Sequence, residues 1–171
     1  LVRTGGEGVV SLEAHPRVSV VESALTEAGF SVEVVADAKS LVWGKLVVNA
    51  AINPLTALLR IPNGELLNRP SARVMMKALA DETAAVASAQ RVRLPFKNPI
   101  EAAEMVARKT AANHSSMFQD VRRGAPTEID AICGAVAKVG ERHGIATPVN
   151  RVCWQLVQAM ERSRVLQIKP E

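Results

Sequence analysis

Lys45, Asn49 and Asn53 interrupt a run between Trp43 and Leu59 that is apolar almost all round. Their four-residue spacing puts one ammonium and two amides on a single helical stripe. Groups aligned in that way can polarise a carbonyl, stabilise the negative charge that grows on its oxygen and deliver a proton to it. The rest of the run is apolar nearly all round, which predicts a buried helix. Burying these three groups without partners would be costly. Two readings are open: a structural network satisfies them, or the stripe is the wall of a cleft and faces a polar ligand. Pro54 removes the N–H that would reach the Ala50 carbonyl, which predicts a kink beside the stripe.

A second polar stretch runs from Asn113 through Ser115, Ser116, Gln119 and Asp120 to Glu128 and Asp130, across a Gly124-Ala125-Pro126 break. Glu128 is expected in the first turn of a helix, where the dipole favours a carboxylate. Plain capping by Thr127 and Glu128 is the simpler account of these residue types.

The elements that must hold these residues fall into two unequal parts. In residues 1–36, Gly8–Leu12 reads as a short strand, His15–Ala28 as a helix ended by Gly29, and Ser31–Val35 as a second strand. This α/β piece is too small to stand alone. Residues 37–171 read as about six helices. Asp37 caps the first, which runs to about Arg60. Asn63-Gly64 marks a turn, and further helices span about Ser71–Gln90, Pro99–Ala112, Ser116–Arg123, Glu128–His143 and Pro148–Leu166. The expected fold class is therefore mostly α, preceded by a short α/β remnant.

Composition is consistent with a packed core: 48% of the 171 residues are apolar and 22% are charged, outside the range of disordered chains. The net charge of +4 is interspersed. No basic stripe carries interleaved aromatics, so no nucleic-acid partner is expected. No apolar stretch reaches the length of an uninterrupted membrane span, and no membrane partner is expected. Cys133 and Cys153 belong to no CxxC pair and read as buried free thiols of a cytoplasmic protein. His15, His114 and His143 are scattered, so no metal site is expected. The chain opens on Leu1 and a Gly-rich stretch without a signal-peptide pattern, and is expected to be part of a longer protein.

Several linked blocks carry a family likeness. They are Lys45-Leu46 with Asn49 and Asn53-Pro54-Leu55-Thr56-Ala57; Asn63-Gly64-Glu65-Leu66; and Ser115-Ser116-Met117 with Gln119-Asp120 and Pro126-Thr127-Glu128-Ile129-Asp130. The tail from Gly134 through His143-Gly144-Ile145, Thr147-Pro148 and Asn150 continues the pattern. In order and spacing these blocks resemble the ketopantoate reductase (2-dehydropantoate 2-reductase) family over about residues 30–160.

The resemblance implies an N-terminal Rossmann domain that binds NADPH and a C-terminal helical domain like that of 6-phosphogluconate dehydrogenases. Residues 1–36 would then be the end of the Rossmann domain, and 37–171 the helical substrate-binding and catalytic domain. The implied reaction is reduction of ketopantoate, a small 2-keto acid, to pantoate in pantothenate biosynthesis. Lys45 matches the catalytic general acid. Asn49, Asn53 and Ser116 match substrate-binding positions, and Asn113 matches a weaker polar contact. Glu128 matches the glutamate that orients the substrate hydroxyl, and is also a candidate cofactor contact.

The chain departs from the family pattern at the cofactor loop. Gly5-Gly6-Glu7-Gly8 is not the Gly-x-Gly-x-x-Gly fingerprint, because no strand precedes it and the residues after it lead into a strand instead of a helix. The chain alone is therefore expected to be inactive. Two other readings stay open: a paralogue acting on another 2-keto acid, and a non-catalytic helical dimerisation module. The polar stripe argues against the second, although a homodimer through the helical part is compatible with any of the three.

Overall fold

The computed structural model describes residues 8–165, with side chains through Glu161. Gly5, Gly6 and Glu7 of the Gly-rich stretch lie outside the described residues, as does Leu166. The chain divides into two compact units, with the boundary between Val42 and Trp43.

The first unit begins with β1 (Val9–Glu13), α1 (Val18–Glu27) and β2 (Ser31–Val35). The strands pair in parallel, from Val9 opposite Ser31 to Glu13 opposite Val35. The helix starts three residues later than the pattern suggested, because His15 to Arg17 form a turn in which the Val18 N–H bonds the His15 carbonyl at 2.9 Å. Gly29 closes α1 with φ +87°. The Phe30 N–H reaches back to the Leu25 carbonyl at 3.0 Å, a C-terminal lock that requires a left-handed residue.

Asp37 caps α2 (Ala38–Leu59), its Oδ1 accepting the Ser40 N–H at 3.0 Å. The helix runs through Pro54 to the last turn. By length and composition alone α2 could cross a membrane, but most of it is buried within the fold, as expected of a core helix. Val47, Ala50, Ala51, Ile52, Leu55 and Ala57 form its inward face. Gly44 allows close packing: a Cβ there would lie 2.7 Å from Pro95 Cγ, so the loop after the next helix can lie against α2.

The other helices of the second unit are α3 (Pro70–Ala89), α4 (Pro99–Lys109), α5 (Ser116–Arg123), α6 (Ala135–Arg142) and α7 (Pro148–Val165). The expected Asn63-Gly64 turn is a single 3-10 turn, Asn63–Leu66. Leu66, Met76, Leu79, Met117, Ile129, Cys133 and Val157 join the α2 face in one core. Trp43 packs in a smaller cluster with Val86, Ala87, Val92 and Val136. The helices are tied together by polar contacts. Asn98 caps α4. The Glu82 carboxylate on α3 accepts the Val149 and Asn150 N–H groups at 2.9 Å each, so one helix caps the first turn of another. Glu104 on α4 accepts from Arg73 at 3.0 and 2.6 Å and from Arg108 at 2.9 Å.

Two further elements differ from expectation: α4 ends at Lys109 instead of Ala112, because residues 110–112 form a turn, and α6 has an irregular start. The single helix expected from Glu128 begins instead as a π-helical turn, Asp130–Gly134, and becomes α-helical only at Ala135. The Gly134 N–H bonds the Ile129 carbonyl, five residues back, at 3.0 Å. Contacts to α7 accompany the wider turn. Asp130 Oδ1 accepts from the Trp154 indole at 2.5 Å and from Gln158 at 2.7 Å. A Cβ on Gly134 would sit 2.9 Å from Trp154. The helix start is thus pinned to α7 at both Asp130 and Gly134.

Candidate active site

Helix α2 carries Lys45, Asn49 and Asn53 in order of deepening burial: Lys45 is exposed, Asn49 half-buried and Asn53 only 6% exposed. None of the three side chains makes a hydrogen bond or ion pair among the described residues. The internal network that could have satisfied them is therefore not formed there. An ammonium and two amides are left free to meet a ligand, about 6 Å apart along the axis at each step.

The stripe continues to Thr56, one turn beyond Asn53. Thr56 is fully buried, with its Oγ1 at 3.0 Å from the carbonyls of both Ile52 and Asn53. It also lies 2.7 Å from Ser115 Oγ. Ser115 is the N-cap of α5, accepting the Phe118 N–H at 3.1 Å. Ser116 is therefore the first residue of a helix whose start is bonded to the end of the α2 stripe, and its side chain is exposed. Asn113 lies just before, exposed, and its carbonyl accepts the Asn63 N–H at 2.9 Å. Asn63 is 7% exposed, and its Oδ1 is buried without a partner among the described residues. Through the Thr56–Ser115 contact the fold joins the end of the α2 stripe to the segment that carries Asn113 and Ser116.

Glu128 is not tied to that junction by any hydrogen bond or ion pair among the described residues. It is exposed and lies two residues ahead of the π-helical turn instead of within a first helical turn. Its carbonyl accepts the N–H groups of Ala131 and Ile132 at 3.0 Å each, while Thr127 Oγ1 accepts the Ile129 N–H at 3.3 Å. Thr127 is therefore the capping side chain, and the Glu128 carboxylate takes no part in capping.

Two residues of the junction, Thr56 and Ser115, received no role from sequence reasoning. Their types are ordinary for helix positions, and only the 59-residue separation closed by their contact distinguishes them. Among the described residues no group of three or more His, Cys, Asp and Glu gathers in metal-binding fashion. Cys133 and Cys153 are free and buried. Burial raises both thiols, Cys153 to about 11, which makes them inert as nucleophiles at neutral pH. The β1–α1 turn reads Ala14-His15-Pro16-Arg17, with no glycine and no side-chain cap at Arg17. A dinucleotide pyrophosphate needs bare backbone at such a turn, and this turn does not offer it.

Residues 37–161 match the family model described as ketopantoate reductase PanE/ApbA C terminal. A 2-dehydropantoate 2-reductase of Pyrobaculum aerophilum is 44% identical over 154 residues, covering 90% of this chain and 55% of the relative. Another from Archaeoglobus fulgidus is 42% identical, covering 91% of this chain and 50% of its own length. The chain thus spans about half the length of these curated relatives. Among solved structures, a PanE/ApbA family ketopantoate reductase from Ralstonia eutropha superposes with a TM-score of 0.89 at 31% identity, over 95% of this chain and 54% of that one. A D-mandelate dehydrogenase solved with NADH and anilino(oxo)acetate gives 0.85 at 27% identity, over 95% and 70%. With the family model matched from Asp37 into α7 and the same helical architecture in the solved relative, the chain belongs to the ketopantoate reductase family and carries its C-terminal domain.

Proposed function

We propose that this chain is the substrate-binding and catalytic part of an NADPH-dependent 2-dehydropantoate 2-reductase, which reduces ketopantoate to pantoate for pantothenate synthesis. The observation that carries the reading is the unpartnered Lys45, Asn49 and Asn53 stripe on a core helix, joined at its end to the α5 N-terminus. Lys45 is the general acid. Its ammonium stabilises the charge that develops on the substrate's carbonyl oxygen and delivers the proton there. Asn49 and Asn53 hold the keto acid by neutral hydrogen bonds. Ser116 donates to the substrate carboxylate, aided by the positive end of the α5 dipole. Asn113 adds a polar contact beside it. Glu128, an acceptor when ionised, takes the substrate hydroxyl, since a carboxylate is a poor partner for another carboxylate.

Residues 1–36 belong, on this reading, to the end of a nucleotide-binding domain, and the cofactor's pyrophosphate is held elsewhere in that domain. The test is reduction of a panel of 2-keto acids with NADPH and with NADH by this chain joined to the nucleotide-binding half that its relatives carry. Ketopantoate with NADPH should give the highest kcat/KM. The D-mandelate dehydrogenase likeness favours a second reading, a paralogue acting on a different 2-keto acid. A preference for an aryl keto acid in the same panel would select it.

A further inference from the structure

The contact between α2 and α5 has a direction. Ser115 Oγ already accepts the Phe118 N–H, and two α2 carbonyls lie within 3.0 Å of Thr56 Oγ1. If Ser115 donates to Thr56, every proton is used: Phe118 N–H to Ser115, Ser115 O–H to Thr56, Thr56 O–H to the Ile52 or Asn53 carbonyl. The reverse orientation leaves the Ser115 proton without an acceptor among the described residues, in a site where Thr56 is fully buried and Ser115 6% exposed. Hydroxyls in such a chain polarise one another, and an unpaired one there is costly.

We propose that Thr56 is a positioning residue for substrate binding: through Ser115 it sets where α5 presents Ser116 relative to Asn53 and Asn49. The inference rests on the reading of those residues as the keto-acid site. Thr56 acts at the carboxylate end of the substrate. Lys45 lies about three turns away along α2, roughly 16 Å, on an element that stays in place when α5 moves. Loss of the Thr56 hydroxyl therefore weakens substrate binding more than it slows proton delivery.

The experiment uses the chain joined to its nucleotide-binding half, with ketopantoate and NADPH. Thr56→Val, which keeps the shape and removes the hydroxyl, should raise KM for ketopantoate about 5–30-fold, the usual worth of a buried hydrogen bond. Its kcat should stay within about threefold. Thr56→Ser should restore KM, because it restores the hydroxyl. In a Ser116→Ala background Thr56→Val should add less than about twofold to KM, because the two changes remove the same substrate contact. If Thr56→Val fails to fold, Thr56→Ala removes the same hydroxyl, leaves the Ser115 cap on the Phe118 N–H in place, and should show the same non-additivity with Ser116→Ala. An unmoved KM, full additivity with Ser116→Ala, or failure of Thr56→Ser to restore KM would each overturn the inference. An unsubstituted protein that reduces no keto acid overturns the functional reading instead. An active protein in which only melting temperature responds to Thr56→Val overturns the positioning role alone.

Discussion

Lys45 and Asn53 stand two turns apart on one side of α2 and at opposite ends of a burial gradient. The lysine is exposed, the asparagine is 6% exposed, and neither side chain makes a hydrogen bond among the described residues. Their roles should separate accordingly. Lys45→Ala, in the chain joined to the nucleotide-binding half proposed for it, should lower kcat by about 10²–10⁴-fold, the usual worth of a positioned proton donor. The melting temperature should hold, since an exposed charge without a partner is removed and no core atom is lost. A kcat drop below about fivefold with intact substrate binding would exclude the general-acid role.

Glu128 and Thr127 are neighbours whose side chains do different work. The Thr127 hydroxyl caps the Ile129 N–H, whereas the Glu128 carboxylate is exposed and unpaired among the described residues. Glu128→Ala should raise KM for the keto acid strongly, lower kcat less, and leave the melting temperature unchanged. Thr127→Ala should cost about 1 kcal/mol of stability, as loss of a cap does, with small kinetic change. Parallel thermal melts and steady-state kinetics on the two variants decide. A Glu128→Ala protein that melts earlier with normal KM would assign the residue to structure.

Residues 1–171 alone should bind NADPH no more tightly than about millimolar, because the β1–α1 turn offers no glycine cradle for the pyrophosphate. The chain should nonetheless fold, its second unit having a continuous core of its own. Calorimetric titration with NADPH, alongside a circular-dichroism melt, measures both. Micromolar affinity would show that the chain holds a complete dinucleotide site.

Glu104 should make the fold acid-sensitive. Hydrogen bonding from Arg73, with help from Arg108, holds its carboxyl below the ordinary value of 4.5, and outweighs burial, which alone would raise it. The unfolded chain therefore takes up this proton at a higher pH than the folded one. The stabilisation is fully present above about pH 4.5 and is lost as pH falls below that value toward the lower folded-state pKa. Melting temperature measured from pH 7 down to pH 3 should fall below about 4.5, and Glu104→Gln should flatten that part of the profile. A Glu104→Gln profile parallel to the unsubstituted one would remove Glu104 as the cause.

The elements that the sequence alone determined are those whose signals lie within a few residues of each other. The C-terminal bound of α5 follows from the Gly124-Ala125-Pro126 break, with Gly124 at φ +71°. The strand Ser31–Val35 follows from a β-branched run after a glycine stop. The Lys45, Asn49 and Asn53 stripe was legible for the same reason, because helical period is a local property. Tertiary structure decided what depends on contacts between distant parts of the chain. Whether the stripe was satisfied internally or left open required knowing every neighbour of α2. The π-helical start at Asp130 is held by Trp154 and Gln158, 24 and 28 residues later. Residue types near Asp130 carry no trace of them, so a regular helix from Glu128 was the natural expectation. Thr56 and Ser115 meet across 59 residues, and their pairing joins α2 to the N-terminus of α5. A hydroxyl has no preferred distant partner until packing brings one within hydrogen-bond reach, so that pairing was settled by the fold of the helices around α2.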